Sequence, residues 1–150
     1  MAERLLLKDR KEQPRKVFGR PWKILIVDDE EDIHLVTKLA LKHFEFDGRE
    51  LEFLQAFSAA EAMQRLAGTP DIAIVLLDVV METEHAGLDL IRYIREQLGN
   101  AAVRIVLRTG QPGQAPEQEV IRQYDINDYK NKAELTSPKL FTLVYASLRT

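Results

Sequence analysis

Short apolar runs alternate with amphipathic segments along most of the chain. The first run, residues 23–27, is rich in β-branched and aliphatic side chains, which favours a strand buried on both faces. The most hydrophobic run, residues 72–79, is predicted to lie at the centre of a sheet. The other predicted strands are residues 51–57, 103–107 and 126–130.

Between these runs, apolar residues recur at helical spacing. Segment 31–44 is predicted to be an amphipathic helix, and Ser58 with Glu61 forms a capping box that predicts the start of a second helix ending near Gly68. The apolar face predicted for the first helix consists of Ile33, Val36, Leu39, Ala40 and Phe44. The remaining helices are predicted at 87–98, before Gly99, at 116–124, and from Ser137 onward.

Five strands that alternate with five helices predict one α/β fold. The strands should form a parallel sheet that is covered by helices on both faces through right-handed crossovers. In such folds the chemistry gathers outside the carboxyl ends of the strands. The residues that directly follow each predicted strand are therefore the first candidates for a functional site.

Composition and charge limit the function classes. The 150 residues fit one domain, and the absence of cysteine excludes disulfides and thiolate metal sites and is consistent with a cytoplasmic protein. No apolar run is long enough to span a membrane. Residues 1–23 carry a net charge of +5, from eight basic and three acidic residues. We expect a basic, partly disordered leader at 1–21 and one domain at 22–150; a solvated leader is favoured over one that binds nucleic acid or lipid.

Three acidic residues follow predicted strands. Asp28 and Asp29 come after the first strand, and Asp78 lies near the end of the third. An acidic pair in this position can also be a helix N-cap, and this alternative stays open for Asp28 and Asp29. An acid at the end of a buried run needs a compensating cation or hydrogen-bond donors. If the first and third strands are neighbours, the three carboxylates form a site for Mg²⁺.

Two further residues follow the fourth and fifth predicted strands. Thr109 could donate a hydrogen bond to a phosphoryl oxygen, and Lys132 could neutralise phosphate charge. Each has a simpler interpretation when considered alone, as a strand-end residue or as a solvated lysine. Lys130 is a weaker candidate for the same role as Lys132. The joint placement of acids, hydroxyl and lysine is what makes the pattern specific.

Four motifs give the chain its resemblance to a known family. They are residues 24–30 (Ile-Leu-Ile-Val-Asp-Asp-Glu), residues 76–81 (Leu-Leu-Asp-Val-Val-Met), Thr109-Gly110, and Asp128-Tyr129 followed by Lys132. With these motifs, residues 22–150 resemble the receiver domains of two-component response regulators. The resemblance implies a flavodoxin-like, doubly wound sheet of five strands in the order 2-1-3-4-5, with five helices.

The resemblance also implies a role for each matching residue. Asp78 would be the phosphoacceptor, phosphorylated by a histidine kinase or a phosphotransfer protein. Thr109 and Lys132 would contact the phosphoryl group, and Thr109 and Tyr129 would form the switch. The resemblance implies a Mg²⁺ site in which Asp29, Asp78 and the backbone carbonyl of Val80 bind the ion directly, while Asp28 acts largely through water. The signal would pass through the face of the fourth helix, fifth strand and fifth helix, which is also the expected surface of a homodimer.

Three positions depart from the family pattern. Gly87 lies nine residues after Asp78, one more than is usual, so the intervening loop carries an insertion. Glu82 stands where proline is common; Glu82, Glu84 and His85 are either extra ligands or a solvated loop, and the loop is favoured. Ala133 replaces the proline that usually follows the lysine through a cis bond. A cis bond without proline costs about 3–4 kcal/mol, so we predict a trans bond after Lys132.

Other functions fit the sequence less well. A haloacid-dehalogenase-like phosphatase needs an acid two residues after its nucleophile, where this chain has Val80. No G-x-G-x-x-G motif follows the first strand, which argues against a dinucleotide site. The acidic core and the absence of a helix-turn-helix argue against direct DNA binding. A receiver-like module that is never phosphorylated and acts only in protein contacts is the main alternative.

The loop after Asp78 and the stretch after Thr109 resemble a receiver subgroup that often precedes further domains. One of these is a domain of unknown function, and another is an HD-type phosphodiesterase of cyclic dinucleotides. We therefore expect an output domain in a longer native chain. The chain itself should catalyse only its own phosphorylation and dephosphorylation, and it is not expected to be an enzyme for other substrates.

Overall fold

The computed structural model describes residues 20–78, 85–109, 122, 125–131 and 137–149. The strands in these ranges are β1 (Trp22–Val27), β2 (Leu51–Ala56), β3 (Ile72–Asp78), β4 (Arg104–Thr109) and β5 (Asp128–Asn131). The helices are α1 (Glu31–Ala40), α2 (Ala59–Gly68), α3 (Ala86–Arg92), which continues into a π-helical turn at Tyr93–Gln97, and α4 (Ser137–Arg149).

The five strands form one sheet in the order β2-β1-β3-β4-β5, and every neighbouring pair is parallel. This confirms the predicted fold class, strand order and central position of the most hydrophobic strand. The predicted helix at 116–124, of which only residue 122 is described, and residues 1–19 of the predicted leader lie outside the described residues. The five-helix count and the domain boundary at residue 22 therefore stay predictions.

Apolar side chains are buried on both faces of the sheet. Leu25 and Val27 of β1 belong to a cluster that includes residues of α2 and α3. Ile24 and Ile26 belong to a second cluster that includes Leu41 and residues of α4. This alternation follows from strand geometry, in which successive side chains point to opposite faces. Because both faces are covered, β1 and β3 are continuous apolar runs in the sequence.

Helix α1 buries a different face from the one predicted. Val36 and Leu39 are 56% and 61% exposed, whereas His34 and Thr37 are buried. The predicted apolar face of this helix was therefore wrong for Val36 and Leu39, although Phe44, beyond the helix, is buried as predicted.

Hydrogen bonds explain why polar residues of α1 face the sheet. The His34 ring contacts the backbone carbonyl of Asp28, and the Thr37 hydroxyl donates to the carbonyl of Ile33. Buried polar groups are tolerated when they have such partners. Hydrophobic periodicity does not reveal these partners, so the pattern favoured the wrong face.

Helix α2 begins as predicted, and α3 ends differently. The Ser58 hydroxyl accepts a hydrogen bond from the Glu61 backbone N–H, which confirms the predicted N-cap. Ile94 is buried, whereas Leu98, four residues further along the same predicted helix, is exposed. The π-helical turn explains this difference because its extra residue rotates the following side chains away from the α-helical phase.

Of the helices in the described ranges, none combines the length and hydrophobicity that a bilayer span requires.

Two leucines just before and after the end of α1 test the corrected face. Leu41 is fully buried, and Leu39 is exposed. We expect Leu41→Ala to lower the free energy of unfolding by about 2–5 kcal/mol. Leu39→Ala should change it by less than about 0.5 kcal/mol. Urea denaturation of both variants measures this, and a larger loss at Leu39 would contradict the assignment of the faces.

Candidate functional site

The three predicted acidic residues meet at the carboxyl ends of β1 and β3. Val27 is paired with Leu77 in the parallel register, so Asp28 and Asp78 follow side by side. One carboxylate oxygen from each of Asp28, Asp29 and Asp78 lies within 4.8 Å of the other two. Asp28 and Asp78 are buried, and Asp29 is exposed. The structure thus brings these three carboxylates together; we call them the acid cluster.

The chemistry of the acid cluster fits a hard divalent cation. Three carboxylates at this separation repel one another, and the repulsion is stronger where burial lowers the local dielectric constant. All three donors are oxygens, which Mg²⁺ prefers over other ligand types. A metal-binding role for these residues is therefore compatible with the geometry.

Hydrogen bonds hold Asp28 in place. Its Oδ1 accepts from the backbone N–H of Glu30 at 2.9 Å. Its backbone carbonyl oxygen lies 2.8 Å from Nε2 of His34, which must carry the proton because a carbonyl oxygen can only accept. The His34 ring also stacks on Phe57, with 4.1 Å between ring centroids. Helix α1 is thereby tied directly to the strand end that carries the acid cluster.

A buried arginine beside the acid cluster was missed by the sequence analysis. Arg108 is only 4% exposed and is paired with Asp78 in the register of β3 and β4. Its Nη1 donates to the hydroxyl of Thr37 at 2.9 Å. Among the described residues, neither its Nε nor its Nη2 has a hydrogen-bond partner.

The surroundings of Arg108 act on its charge in opposite directions, and burial is the larger effect. Burial lowers the pKa of the Arg108 guanidinium, while the negative charges of Asp28 and Asp78 raise it. The group stays cationic because an arginine is not deprotonated in proteins. The signal that could have found it is a charged residue in an apolar strand, on the same alternation as the buried Val106.

The remaining predicted site residues are described only in part. Thr109 ends β4, and Tyr129 lies in β5 opposite Leu107, but their side chains lie outside the described part of the chain. Val80 and Lys132 lie outside the described residues altogether, as do Glu82 and Glu84. His85 is exposed, precedes α3 and is not a member of the acid cluster. The predicted roles of these residues stay predictions.

No protein-family profile matches the chain. A curated protein from Vibrio cholerae serotype O1, 3'3'-cGAMP-specific phosphodiesterase 2, is 59% identical to it over 129 residues. The match covers 86% of this chain and 25% of the phosphodiesterase. The chain therefore spans about a quarter of the length of the curated relative that it matches.

Solved structures with a similar fold are receiver domains. One is the N-terminal domain of a response regulator/sensory box/GGDEF protein from Carboxydothermus hydrogenoformans, which matches with a TM-score of 0.68 and 23% sequence identity. The match covers 85% of this chain and 94% of that chain. The receiver domain of an HD domain-containing protein from Pseudomonas fluorescens Pf-5 has a TM-score of 0.65, with 22% identity and coverages of 87% and 96%. The chain has the receiver-domain fold. The resemblance inferred from the motifs is confirmed, and the curated relative is consistent with a receiver that precedes a phosphodiesterase.

Repulsion within the acid cluster should be measurable without any metal. In the presence of EDTA, we expect Asp29→Asn to raise the melting temperature by about 2–4 °C, because it removes one of three like charges. Asp32→Asn is the matched control, since Asp32 is an acid in the first turn of α1 that does not belong to the cluster. Its removal should leave the melting temperature unchanged or lower it slightly. An equal rise in both variants would show that general surface charge, not the cluster, is responsible.

Proposed function

We propose that this chain is the phosphoacceptor receiver of a two-component system. In this proposal Asp78 takes a phosphoryl group from a histidine kinase or a phosphotransfer protein. The observation that carries the proposal is the acid cluster, which lies at the carboxyl ends of two paired strands in a chain with the receiver-domain fold. A carboxylate that merely caps a helix would not require two further acids within 4.8 Å.

Asp28, Asp29 and Asp78 would hold Mg²⁺, together with the backbone carbonyl of Val80. When bound, the ion supplies positive charge to the oxygens of the phosphoryl group. An oxygen of Asp78 forms a bond to phosphorus while the bond from phosphorus to the imidazole nitrogen of the donor breaks. The electron pair of that bond stays on the imidazole nitrogen, which is reprotonated.

The fold supplies the positioning that this reaction needs. Phosphoryl transfer depends on alignment and charge neutralisation more than on the strength of the nucleophile. Asp78 ends the central strand, which is hydrogen-bonded to β1 on one side and β4 on the other. Its position is therefore defined by the sheet, not by a loop.

The proposed signal starts at Asp78 and ends at an output activity. Thr109 and Lys132 are proposed to contact the phosphoryl group, and Tyr129 to respond to the movement of Thr109. The surface that changes would include β5 and the C-terminal helix α4, where a homodimer or an output domain could bind. Because the curated relative is a 3'3'-cGAMP-specific phosphodiesterase, we propose that the controlled output is a phosphodiesterase of cyclic dinucleotides.

Phosphorylation can be tested directly with acetyl phosphate. After incubation with acetyl phosphate and Mg²⁺, intact-mass spectrometry should show the gain of one phosphoryl group by the wild type and none by Asp78→Asn. Asp71→Asn is the matched control, because Asp71 lies just before β3, at the opposite end of the strand, and pairs with Lys23 at 2.9 Å. This variant should be phosphorylated like the wild type.

Removal of the divalent cation provides a second test. With EDTA in place of Mg²⁺, the phosphorylated fraction of the wild type should fall at least tenfold, since the charge on the phosphoryl oxygens is then poorly neutralised. A wild type that gains no mass under either condition would support the alternative of a module that acts only in protein contacts.

A further inference from the structure

Arg108 is the only buried arginine or lysine among the residues that the structure describes. It lies on the strand next to Asp78 and is anchored to α1 through Thr37. Two of its nitrogens, Nε and Nη2, face no acceptor in the described part of the chain. A buried charged donor without an acceptor is costly, so such a group is usually retained where an anion completes it.

The acid cluster does not itself supply the missing acceptors. Asp28 and Asp78 are close enough to stabilise the guanidinium charge through space. No hydrogen bond from Nε or Nη2 to a carboxylate is formed, however, within the described residues. An added oxyanion at Asp78 would be both near this cation and able to accept from its unused N–H groups.

The balance of charge changes when Asp78 is phosphorylated. The acid cluster contains three carboxylates, which together contribute three negative charges when all are ionised. Phosphorylation replaces the single charge of Asp78 by about two, which brings the total to about four. A divalent cation and the predicted Lys132 supply three positive charges. Arg108 supplies the fourth, so it balances the phosphorylated site and leaves the unphosphorylated, metal-bound site with an excess of positive charge.

We propose that Arg108 is a phosphoryl-stabilising residue, which favours the phosphorylated form of Asp78 over the unphosphorylated form. This inference rests on the proposed phosphorylation of Asp78 and adds a residue outside the set that the resemblance implied. It has a specific consequence. Loss of the Arg108 charge should weaken the phosphorylated state, while the unphosphorylated protein should bind Mg²⁺ as tightly as before or more tightly, because a competing cation has been removed.

The test compares neutral and charged replacements. Arg108→Gln removes the charge and keeps an N–H donor for Thr37, and Arg108→Met is a second neutral variant. Arg108→Lys keeps the charge. Thr37→Val removes the anchoring hydroxyl and leaves the arginine in place. Circular dichroism verifies folding of each full-length variant before use.

Two quantities are measured for each variant. The first is the affinity for beryllofluoride in the presence of Mg²⁺, followed by fluorine NMR, with beryllofluoride as a non-covalent substitute for the phosphoryl group. The second is the affinity of the unphosphorylated protein for Mg²⁺ alone, measured by calorimetry. Arg108→Gln and Arg108→Met should lose about tenfold or more in beryllofluoride affinity. Arg108→Lys and Thr37→Val should stay within about threefold of the wild type.

Each result either supports the proposal or overturns it. Neutral variants with weaker beryllofluoride affinity and equal or tighter Mg²⁺ affinity support it. Neutral variants that match the wild type in beryllofluoride affinity overturn it. If the neutral variants and Arg108→Lys all lose affinity for both beryllofluoride and Mg²⁺, the proposal is overturned and the role of Arg108 is structural. The same holds if both neutral variants fail to fold. If the wild type itself takes neither beryllofluoride nor a phosphoryl group from acetyl phosphate, the proposed function fails first, and this inference fails with it.

Discussion

The parallel register of three neighbouring strands is the constraint on which the site depends. Val27 is paired with Leu77, and Asp78 is paired with Arg108, so two buried carboxylates and a buried guanidinium lie near the carboxyl ends of adjacent strands. Like charges would separate if they were carried by mobile loops. Here the backbone hydrogen bonds of the sheet and the apolar clusters on both faces hold them together. Stability elsewhere in the domain therefore maintains an arrangement that is unfavourable when the carboxylates have no cation.

The buried side of α1 belongs to the same arrangement. His34 contacts the backbone of Asp28, and Thr37 accepts from Arg108 and donates to its own helix. An apolar α1 face would leave the Arg108 guanidinium with no acceptor at all among these contacts. The polar residues are thus explained by the charges they accompany. They also make α1 the described helix that is most directly connected to the acid cluster, while its apolar residues Leu35, Val36 and Leu39 are exposed.

Much of this could be predicted from sequence because it follows from local pattern and topology. The strand order, the central place of β3 and the convergence of Asp28 and Asp78 all derive from five apolar runs and the rule that sites form at strand ends. The buried face of α1 could not, since Thr37 is hydrogen-bonded to Arg108, which is distant in sequence. The π-helical turn after α3 could not either, because apolar spacing carries no signal for it. Arg108 was missed for a related reason. An arginine near a strand end is usually solvated, and only the structure shows that this one is buried and hydrogen-bonded to Thr37 of α1.

The position of Arg108 bears on how a receiver domain can differ from its relatives without changing its fold. By the resemblance, the acids, the hydroxyl and the predicted lysine would be sufficient for phosphoryl chemistry, so the proposed reaction would not need an added cation. In the proposed role, Arg108 would act instead on the relative free energies of the unphosphorylated and phosphorylated states, because a fixed positive charge interacts more favourably with the more negative state. If Asp78 is phosphorylated as proposed, a substitution at this one buried strand position would shift the population of the phosphorylated state while Asp78 and the strand register stay the same. Burial makes this effect large and insensitive to salt, unlike a surface lysine at the same distance.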